Sequence, residues 1–312
     1  MKKRISKIAA AVAVTLGLFT LGGCGHTEEN TVTVIDGDFA EMKLFTQAAK
    51  ILIEDQTDLK VKVKDSMASS FAFQQIKDGK MDIYMSYDGS LLTAYLGKDP
   101  SEVPEGVSLY EYANALGKET ANVMLTPKLG GENTYVAAVR RDTAEKYHLS
   151  KISDLIPYAP SLRFAAEHEF FDEGSFHFHS FADFYGLEFQ DVKTIDRGLK
   201  HVGIAWDNMD VTVVYSTDGL NKKFDLVTLE DDLNFFPDYN GAYLIRKDLY
   251  EDYPELEAVF ASMEGKFTNE VCTALNYEID VKNREPYEVV YEYLEENGVL
   301  LYRKDRLRRS AE

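Results

Sequence analysis

The chain of 312 residues is poor in cysteine, in basic residues and in long hydrophobic runs. Its two cysteines, Cys24 and Cys272, allow one disulfide at most. Lysine and arginine number 34 against 53 acidic residues, which gives a formal net charge of −19. Nucleic acids and anionic lipid surfaces carry charge of the same sign, so we expect neither as a partner. No stretch after residue 21 is apolar and long enough to predict a membrane span.

Motifs for catalysis and for resident cofactors are also missing. There is no glycine-rich phosphate loop and no G-x-S-x-G elbow, and His168-Glu169 is not followed by histidine at metalloprotease spacing. His177 and His179 flank Phe178 and would share one side of a strand, but no third ligand follows at a recognisable offset. We therefore expect no metal, no cofactor and no enzyme activity, and we expect Cys272 to be a small apolar residue of a helix.

The first residues are typical of a bacterial export signal. A basic start precedes an apolar run from Ile8 to Leu21, which is too short for a comfortable bilayer span. The run closes with Leu-Gly-Gly-Cys, the lipobox pattern of lipoproteins. We expect residues 1–23 to be a signal peptide, Cys24 to carry lipid and residues 24–31 to form a tether. An ordinary signal peptide with an incidental cysteine is the alternative. Either way, this predicts a location on the extracytoplasmic side of the cell membrane.

Alternating strand and helix patterns occupy the rest of the chain. The segment TVTVID reads as a buried strand, and helical spacing follows it at Phe39, Met42, Phe45, Ala49 and Leu52. Asp38 with Glu41 three residues on has the pattern of an N-terminal capping pair. Further strands are predicted at MDIYMSY, TYVAAVR, LRFAAE and MDVTVVYS. This alternation favours an α/β fold with parallel sheets and crossover helices.

Four tyrosines stand in segments that point to a ligand, namely Tyr87, Tyr135, Tyr215 and Tyr239. Their segments are DIYMSYDGSLL, LGGENTYVAAVR, VYSTDG and FFPDYNGAYLIR. These segments resemble the substrate-binding proteins of glycine betaine/choline/carnitine importers of the ABC type, as do KYHLSKISDL, VTLEDD and LNYEIDV. The resemblance runs from about Val34 to Leu301. In that family the four tyrosine positions form an aromatic cage around a quaternary ammonium ion, which has no N–H to donate but is attracted to ring faces.

The resemblance implies a two-lobe, type II periplasmic-binding-protein fold with a ligand cleft between the lobes. One lobe would take residues 32–132 plus 239–312, and the other residues 133–238. The ABC permease and ATPase subunits would be its partners, with the membrane reached through the lipid anchor alone. A backbone carbonyl two residues before the second cage tyrosine faces the cation in the family, and Asn133 holds that position here. Trp206 is expected to pack inside the second lobe.

The other end of the ligand site departs from the family pattern. Family members that bind glycine betaine hold its carboxylate with a lysine, a hydroxyl and an arginine. Here Gly37 stands at the lysine position, Ser90 keeps the hydroxyl, and Glu173 stands at the arginine position. A buried carboxylate without a cationic partner is costly, so a choline-like ligand is predicted over a betaine. Asp38 and Asp88 are further candidate ligand-binding residues.

Two alternatives stay open at this point. If the alignment slips around Glu173, then Arg163, Lys200 or Arg197 supplies the missing donor, and the ligand is glycine betaine, carnitine or a related betaine. A receptor lipoprotein that senses the same ligand without transporting it would use the same cleft. The sequence does not separate these functions.

Overall fold

A computed structural model describes residues 30–171, 176–237 and 239–301. Two predicted positions, the lipidation site Cys24 and the acid Glu173, lie outside these ranges. Within the described residues, no helix combines the length and the apolar character needed to cross a bilayer.

In the described part of the chain, ten strands form two separate sheets of five. The strands are β1 Thr31–Ile35, β2 Lys60–Lys64, β3 Ile83–Tyr87, β4 Val123–Leu125, β5 Tyr135–Arg140, β6 Arg163–Ala166, β7 Asp191–Thr194, β8 Val211–Tyr215, β9 Leu226–Thr228 and β10 Gly241–Arg246. The first sheet has the order β2-β1-β3-β10-β4, and the second has the order β7-β6-β8-β5-β9.

Helices connect and cover the strands. The α-helices are α1 Ala40–Gln56, α2 Ser69–Lys77, α3 Asp88–Ser90, α4 Leu109–Thr120, α5 Arg141–Tyr147, α6 Phe178–Tyr185, α7 Lys200–Ala205, α8 Gly219–Lys223, α9 Leu249–Asp252, α10 Glu255–Ser262, α11 Asn269–Asp280 and α12 Pro286–Glu296. A π-helical turn spans Leu91–Tyr95, and short 3₁₀ turns span Pro100–Glu102, Ile152–Leu155, Ala159–Ser161, His168–Phe171 and Arg197–Leu199.

Both sheets are mixed rather than wholly parallel. Strand β1 pairs in parallel with β2 and β3, and β6 pairs in parallel with β7 and β8, as the alternation of strands and helices predicts. The parallel prediction is wrong for β10, which runs antiparallel between β3 and β4, and for β5, which runs antiparallel between β8 and β9. Both strands come directly after the chain has crossed from the other sheet. They therefore enter their sheet from the end opposite to that at which their neighbouring strands begin.

The two passages of the chain between the sheets are bonded to each other. One passage joins β4 to β5 and the other joins β9 to β10. The Asn133 amide donates to the Tyr239 carbonyl at 3.0 Å, and the Gly241 amide donates to the Gly131 carbonyl at 2.9 Å. These bonds fix Tyr239 beside the segment that leads into β5.

Each sheet has its own hydrophobic core. The first core includes Phe45 of α1, Tyr243 of β10 and Phe260 of α10, all buried. In the second sheet successive residues of β5 face opposite sides, so Ala137 belongs to one cluster and Ala138 to another. The expectation that Cys272 is a buried residue of a helix is confirmed, since it lies in α11 at 1% exposure.

Three local predictions are wrong. Asp38 and Glu41 do not cap α1, whose N-cap is Phe39 without a side-chain hydrogen bond. Trp206 does not pack inside the second sheet's core, because it ends α7 with 74% of its surface exposed. His177 and His179 do not share a strand, because His177 is the N-cap of α6 and His179 lies within that helix.

Candidate functional site

A cavity of about 930 Å³ is lined by residues that belong to both sheets. Seven of the predicted site residues line it, namely Asp38, Tyr87, Ser90, Asn133, Tyr135, Tyr215 and Tyr239. The four tyrosines come from positions up to 152 residues apart in the sequence, so it is the fold that brings them onto one cavity. Asp88 is not among the lining residues, and Glu173 lies outside the described part of the chain.

The second sheet contributes a stacked pair of tyrosines. Tyr135 begins β5 and Tyr215 ends β8, and the antiparallel register places them directly opposite each other. Their ring centroids are 5.0 Å apart with an interplanar angle of 21°, and their hydroxyl oxygens are 3.4 Å apart. Phe170 and Phe236 approach the Tyr135 ring at 5.1 and 6.2 Å. The sheet thus holds two electron-rich rings rigidly at the edge of the cavity.

The first sheet contributes Tyr87, and the second passage, which leads into that sheet, contributes Tyr239. Tyr87 ends β3, and its hydroxyl donates to Glu41 Oε1 at 2.6 Å. Tyr239 lies in the second passage, two residues before β10 begins at Gly241, and its ring lies against the backbone of Gly89. A Cβ at Gly89 would stand 2.8 Å from the Tyr239 ring, so this close approach requires glycine.

The hydroxyl groups of the buried tyrosines at the cavity stay protonated. Burial raises the pKa of Tyr87 and Tyr239, and for Tyr87 the neighbouring Glu41 charge raises it further. Burial also raises the pKa of Tyr135, with Tyr215 and Glu167 adding to the effect. A cation in the cavity would therefore meet ring faces and neutral hydroxyls, not phenolate charge.

Asp88 has a structural position behind the cavity. Its carboxylate is fully buried and accepts hydrogen bonds from the Asn240 amide at 2.9 Å, from Asn240 Nδ2 at 2.7 Å and from the Gly89 amide at 2.7 Å. Burial raises its pKa to about 6, against these bonds, which lower it. Asp88 thus connects the end of β3 to Asn240, the residue that follows Tyr239. It supports the position of the Tyr239 ring and is not among the residues that line the cavity.

Gly37 leaves no room for the family's lysine side chain. A Cβ built on Gly37 would lie 2.0 Å from the Met42 Cβ, which belongs to the first helix and cannot yield without a backbone shift. Asp38, the next residue, lines the cavity instead. The carboxylate-binding lysine of the family therefore has no equivalent at this position.

A buried ion pair beside these tyrosines was not predicted from the sequence. Lys200 and Glu167 are 2% and 1% exposed, and Lys200 Nζ donates to Glu167 Oε2 at 2.9 Å. The same Nζ lies 5.3 Å from the centroid of the Tyr215 ring. Among the three basic residues considered as alternative donors, Lys200 lines the cavity. Arg163 is instead bonded to Asp207 and Asp210.

A second missed residue is Glu41, which also lines the cavity at 2% exposure. Its signal in the sequence is its phase on α1, because it falls on the same helical face as the buried Leu44, Phe45 and Ala48. An acid on an apolar face is uncommon and calls for a specific partner. Because Glu41 also fits a capping pattern with Asp38, its position on the apolar face was interpreted as part of a helix cap.

Two histidines complete the polar part of the lining. His201 is 3% exposed, with Nε2 3.0 Å from Asn221 Oδ1, and burial lowers its pKa, so it is neutral at physiological pH. His177 lines the cavity as well. Across the described ranges no three histidine, cysteine or acidic side chains come together in a metal-binding arrangement.

Comparison with known proteins gives consistent matches over nearly the whole chain. The family described as the substrate binding domain of ABC-type glycine betaine transport systems matches residues 30–296. A carnitine transport binding protein of Listeria monocytogenes is 30% identical over 304 residues, which cover 96% of this chain and 98% of that protein. A glycine-betaine-binding protein of Pseudomonas aeruginosa is 27% identical over 316 residues, with 96% of both chains covered.

A solved structure titled as a glycine betaine/carnitine/choline ABC transporter superposes with a TM-score of 0.80 at 27% identity. The match covers 86% of this chain and all of that one. The predicted α/β fold of two lobes with a cleft is confirmed by this match.

Proposed function

This chain belongs to the family of substrate-binding domains of ABC-type glycine betaine transport systems, and from that premise we propose that it captures a choline-like quaternary ammonium compound in a cage of four tyrosines. Members of this family are transport proteins rather than enzymes and work with permease and ATPase subunits. Residues 32–132 plus 239–312 form one lobe in this proposal, residues 133–238 form the other, and Cys24 carries the lipid anchor.

The observation that carries the proposal is the convergence of Tyr87, Tyr135, Tyr215 and Tyr239 on one cavity. A trimethylammonium group offers no hydrogen-bond donor, and ring faces attract it by about 0.5–2 kcal/mol each when water is excluded. Two rings are fixed by the β5–β8 register and two by the end of β3 and the second passage. A ligand between them touches both lobes and stabilises the form in which the cage is complete.

The charge of the side chains that line the cavity favours a ligand with a net positive charge over a zwitterionic ligand. Among the residues that the structure describes, the lining includes five acidic side chains against three lysines. Lys200, the lysine beside the Tyr215 ring, is already paired with Glu167. The lysine position of betaine-binding relatives is closed at Gly37. A free carboxylate on the ligand would therefore meet mainly negative groups, at a cost of several kcal/mol if it stayed unpaired.

Hydrogen-bonding capacity supports the same choice. Asn133 Oδ1 and Asn276 Oδ1 are buried at the cavity and have no hydrogen-bond partner among the residues that the structure describes. Their amide groups are oriented by Glu41, which accepts from both Nδ2 atoms. Two amide oxygens accept but do not donate, so they suit the hydroxyl of a choline-like ligand and not a carboxylate.

The alternative ligand is a betaine such as carnitine or glycine betaine, and Lys200 is the observation that favours it. Lys200 lines the cavity, and its ammonium could exchange Glu167 for the carboxylate of a zwitterion. Two of the relatives described above are named for carnitine and glycine betaine.

Isothermal titration with choline, glycine betaine and carnitine separates these ligands. We expect choline to bind most tightly. Tighter binding of glycine betaine or carnitine by tenfold or more would refute the choline preference and leave the cage intact. The cage itself is tested with Tyr215→Leu, which should weaken binding at least tenfold, against Tyr215→Phe as the matched control that keeps the ring. Equal affinities of both variants and the wild type would show that this ring is not part of the site.

A further inference from the structure

Glu41 is a buried acid at the cavity that is surrounded by neutral donors. Its Oε1 accepts from the Tyr87 hydroxyl at 2.6 Å and from Asn133 Nδ2 at 3.1 Å, and its Oε2 accepts from Asn276 Nδ2 at 3.1 Å. The side chain is 2% exposed. Within residues 30–171, 176–237 and 239–301, no lysine, arginine or histidine forms an ion pair with it.

Glu167, another buried acid near the cavity, has the opposite arrangement. Glu167 is 1% exposed and bonded to the ammonium of Lys200 at 2.9 Å. Its charge is compensated within the protein, whereas the charge of Glu41 is not. A buried carboxylate that lacks an opposite charge is destabilising even when hydrogen bonds satisfy its oxygens. A cation that enters the cavity would supply that missing charge.

We propose that Glu41 is a positioning residue that provides the fixed counter-charge for the ligand's quaternary ammonium and acts through Tyr87. This inference rests on the function proposed above. The short bond from the Tyr87 hydroxyl fixes that ring and places negative charge at its polar end. The ring face turned to the ligand thereby becomes a stronger acceptor of positive charge than a phenol bonded to a neutral group.

The bonds of Glu41 also set the geometry between the lobes. Asn133 lies in the first passage between the sheets, and its Nδ2 reaches the Tyr87 hydroxyl as well, at 3.1 Å. Asn276 of α11 donates in addition to the Thr217 carbonyl at 2.9 Å, two residues after Tyr215. One carboxylate is thus bonded to groups that position a tyrosine on each side of the cavity.

Glu41→Gln tests the charge while keeping the shape. The new amide can still accept from Tyr87 and Asn133. Asn276 can accept from the new N–H by rotating its own amide, but it then loses its bond to the Thr217 carbonyl, and the neutral probe measures that structural cost. The probes are choline and 3,3-dimethylbutan-1-ol, in which carbon replaces the charged nitrogen. We expect choline affinity to fall at least tenfold, with affinity for the neutral alcohol changed less than threefold. Glu54→Gln, on the same helix and 37% exposed in its side chain, is the matched control and should leave choline affinity within twofold.

The possible results distinguish a failure of the Glu41 inference from a failure of the proposed function. An equal loss for both probes would overturn the inference, because it would show a role in packing alone. An unchanged choline affinity would overturn it as well. Tyr87→Phe removes the connecting hydroxyl, so its effect and that of Glu41→Gln should be strongly non-additive, and additive effects would refute transmission through Tyr87. If the wild-type protein bound no quaternary ammonium compound, the proposed function itself would fail.

Discussion

Replacing Lys200 by methionine tests the role of the buried ion pair in both stability and ligand choice. The substitution keeps the apolar stem and removes the ammonium that lies 2.9 Å from Glu167 and 5.3 Å from the Tyr215 centroid. Breaking a buried pair by removing one partner costs about 3–5 kcal/mol, because the remaining charge is left buried. We expect a loss of that size in the free energy of unfolding, measured with urea at pH 7.

The same substitution should raise the affinity for choline much more than the affinity for glycine betaine. Removing a positive charge about 8 Å from a bound cation relieves about 2 kcal/mol at an effective dielectric constant of about 20, or about thirtyfold in affinity. Choline should therefore bind more tightly to Lys200→Met. Glycine betaine should gain much less, because it loses an ammonium that would pair with its carboxylate at the Tyr215 side of the cavity.

The double variant Glu167→Gln/Lys200→Met is the matched control. It removes both charges, so stability should return to within about 1–2 kcal/mol of the wild type and choline affinity to within about threefold. A stability loss below about 1 kcal/mol in Lys200→Met would contradict a buried pair. A choline to glycine betaine affinity ratio that did not change would show that Lys200 does not face the ligand.

Two further changes test the supports of Tyr239. Gly89→Ala places a methyl group 2.8 Å from the Tyr239 ring and must displace it, so choline affinity by titration should fall at least tenfold; an unaltered dissociation constant would mean that Tyr239 is not a wall of the site. Burial raises the pKa of Asp88 to about 6 against the hydrogen bonds from Asn240 and Gly89 and the charge of Lys128, and Tyr110 and Tyr239 are further titratable neighbours. The stability that its neutral form gives is complete below pH about 4 and is lost as the pH rises through about 6. Between pH 4 and 7 the free energy of unfolding should therefore rise more with pH, or fall less, in Asp88→Asn than in the wild type, and identical slopes would contradict the raised pKa.

Periodic apolar patterns correctly predicted strands and helices whose buried face is determined by their own residues. The strand TVTVID and the helix after it are present as β1 and α1, and MDIYMSY contains β3. Strand direction within the sheets was not predictable in this way. The antiparallel entry of β10 depends on where the chain returns from the other sheet, and no feature of GAYLIR itself records that return.

The two cavity residues whose roles were not predicted, Glu41 and Lys200, have partners distant in the sequence. Glu41 fits a capping pattern with Asp38, but its carboxylate is taken by Tyr87, 46 residues away. Lys200 was one of several basic residues until the fold placed it beside Tyr215 and Glu167. The four tyrosines were found because their segments resemble a known family, since spacing alone does not distinguish them among the 19 tyrosines of the chain.

The most direct test of the tyrosine cage is a crystal structure of the protein with choline bound. The quaternary nitrogen should lie within about 6 Å of the ring centroids of Tyr87, Tyr135, Tyr215 and Tyr239, the distance at which ring faces attract a cation. Choline bound elsewhere in the cleft, or with its nitrogen turned away from these rings, would contradict the cage.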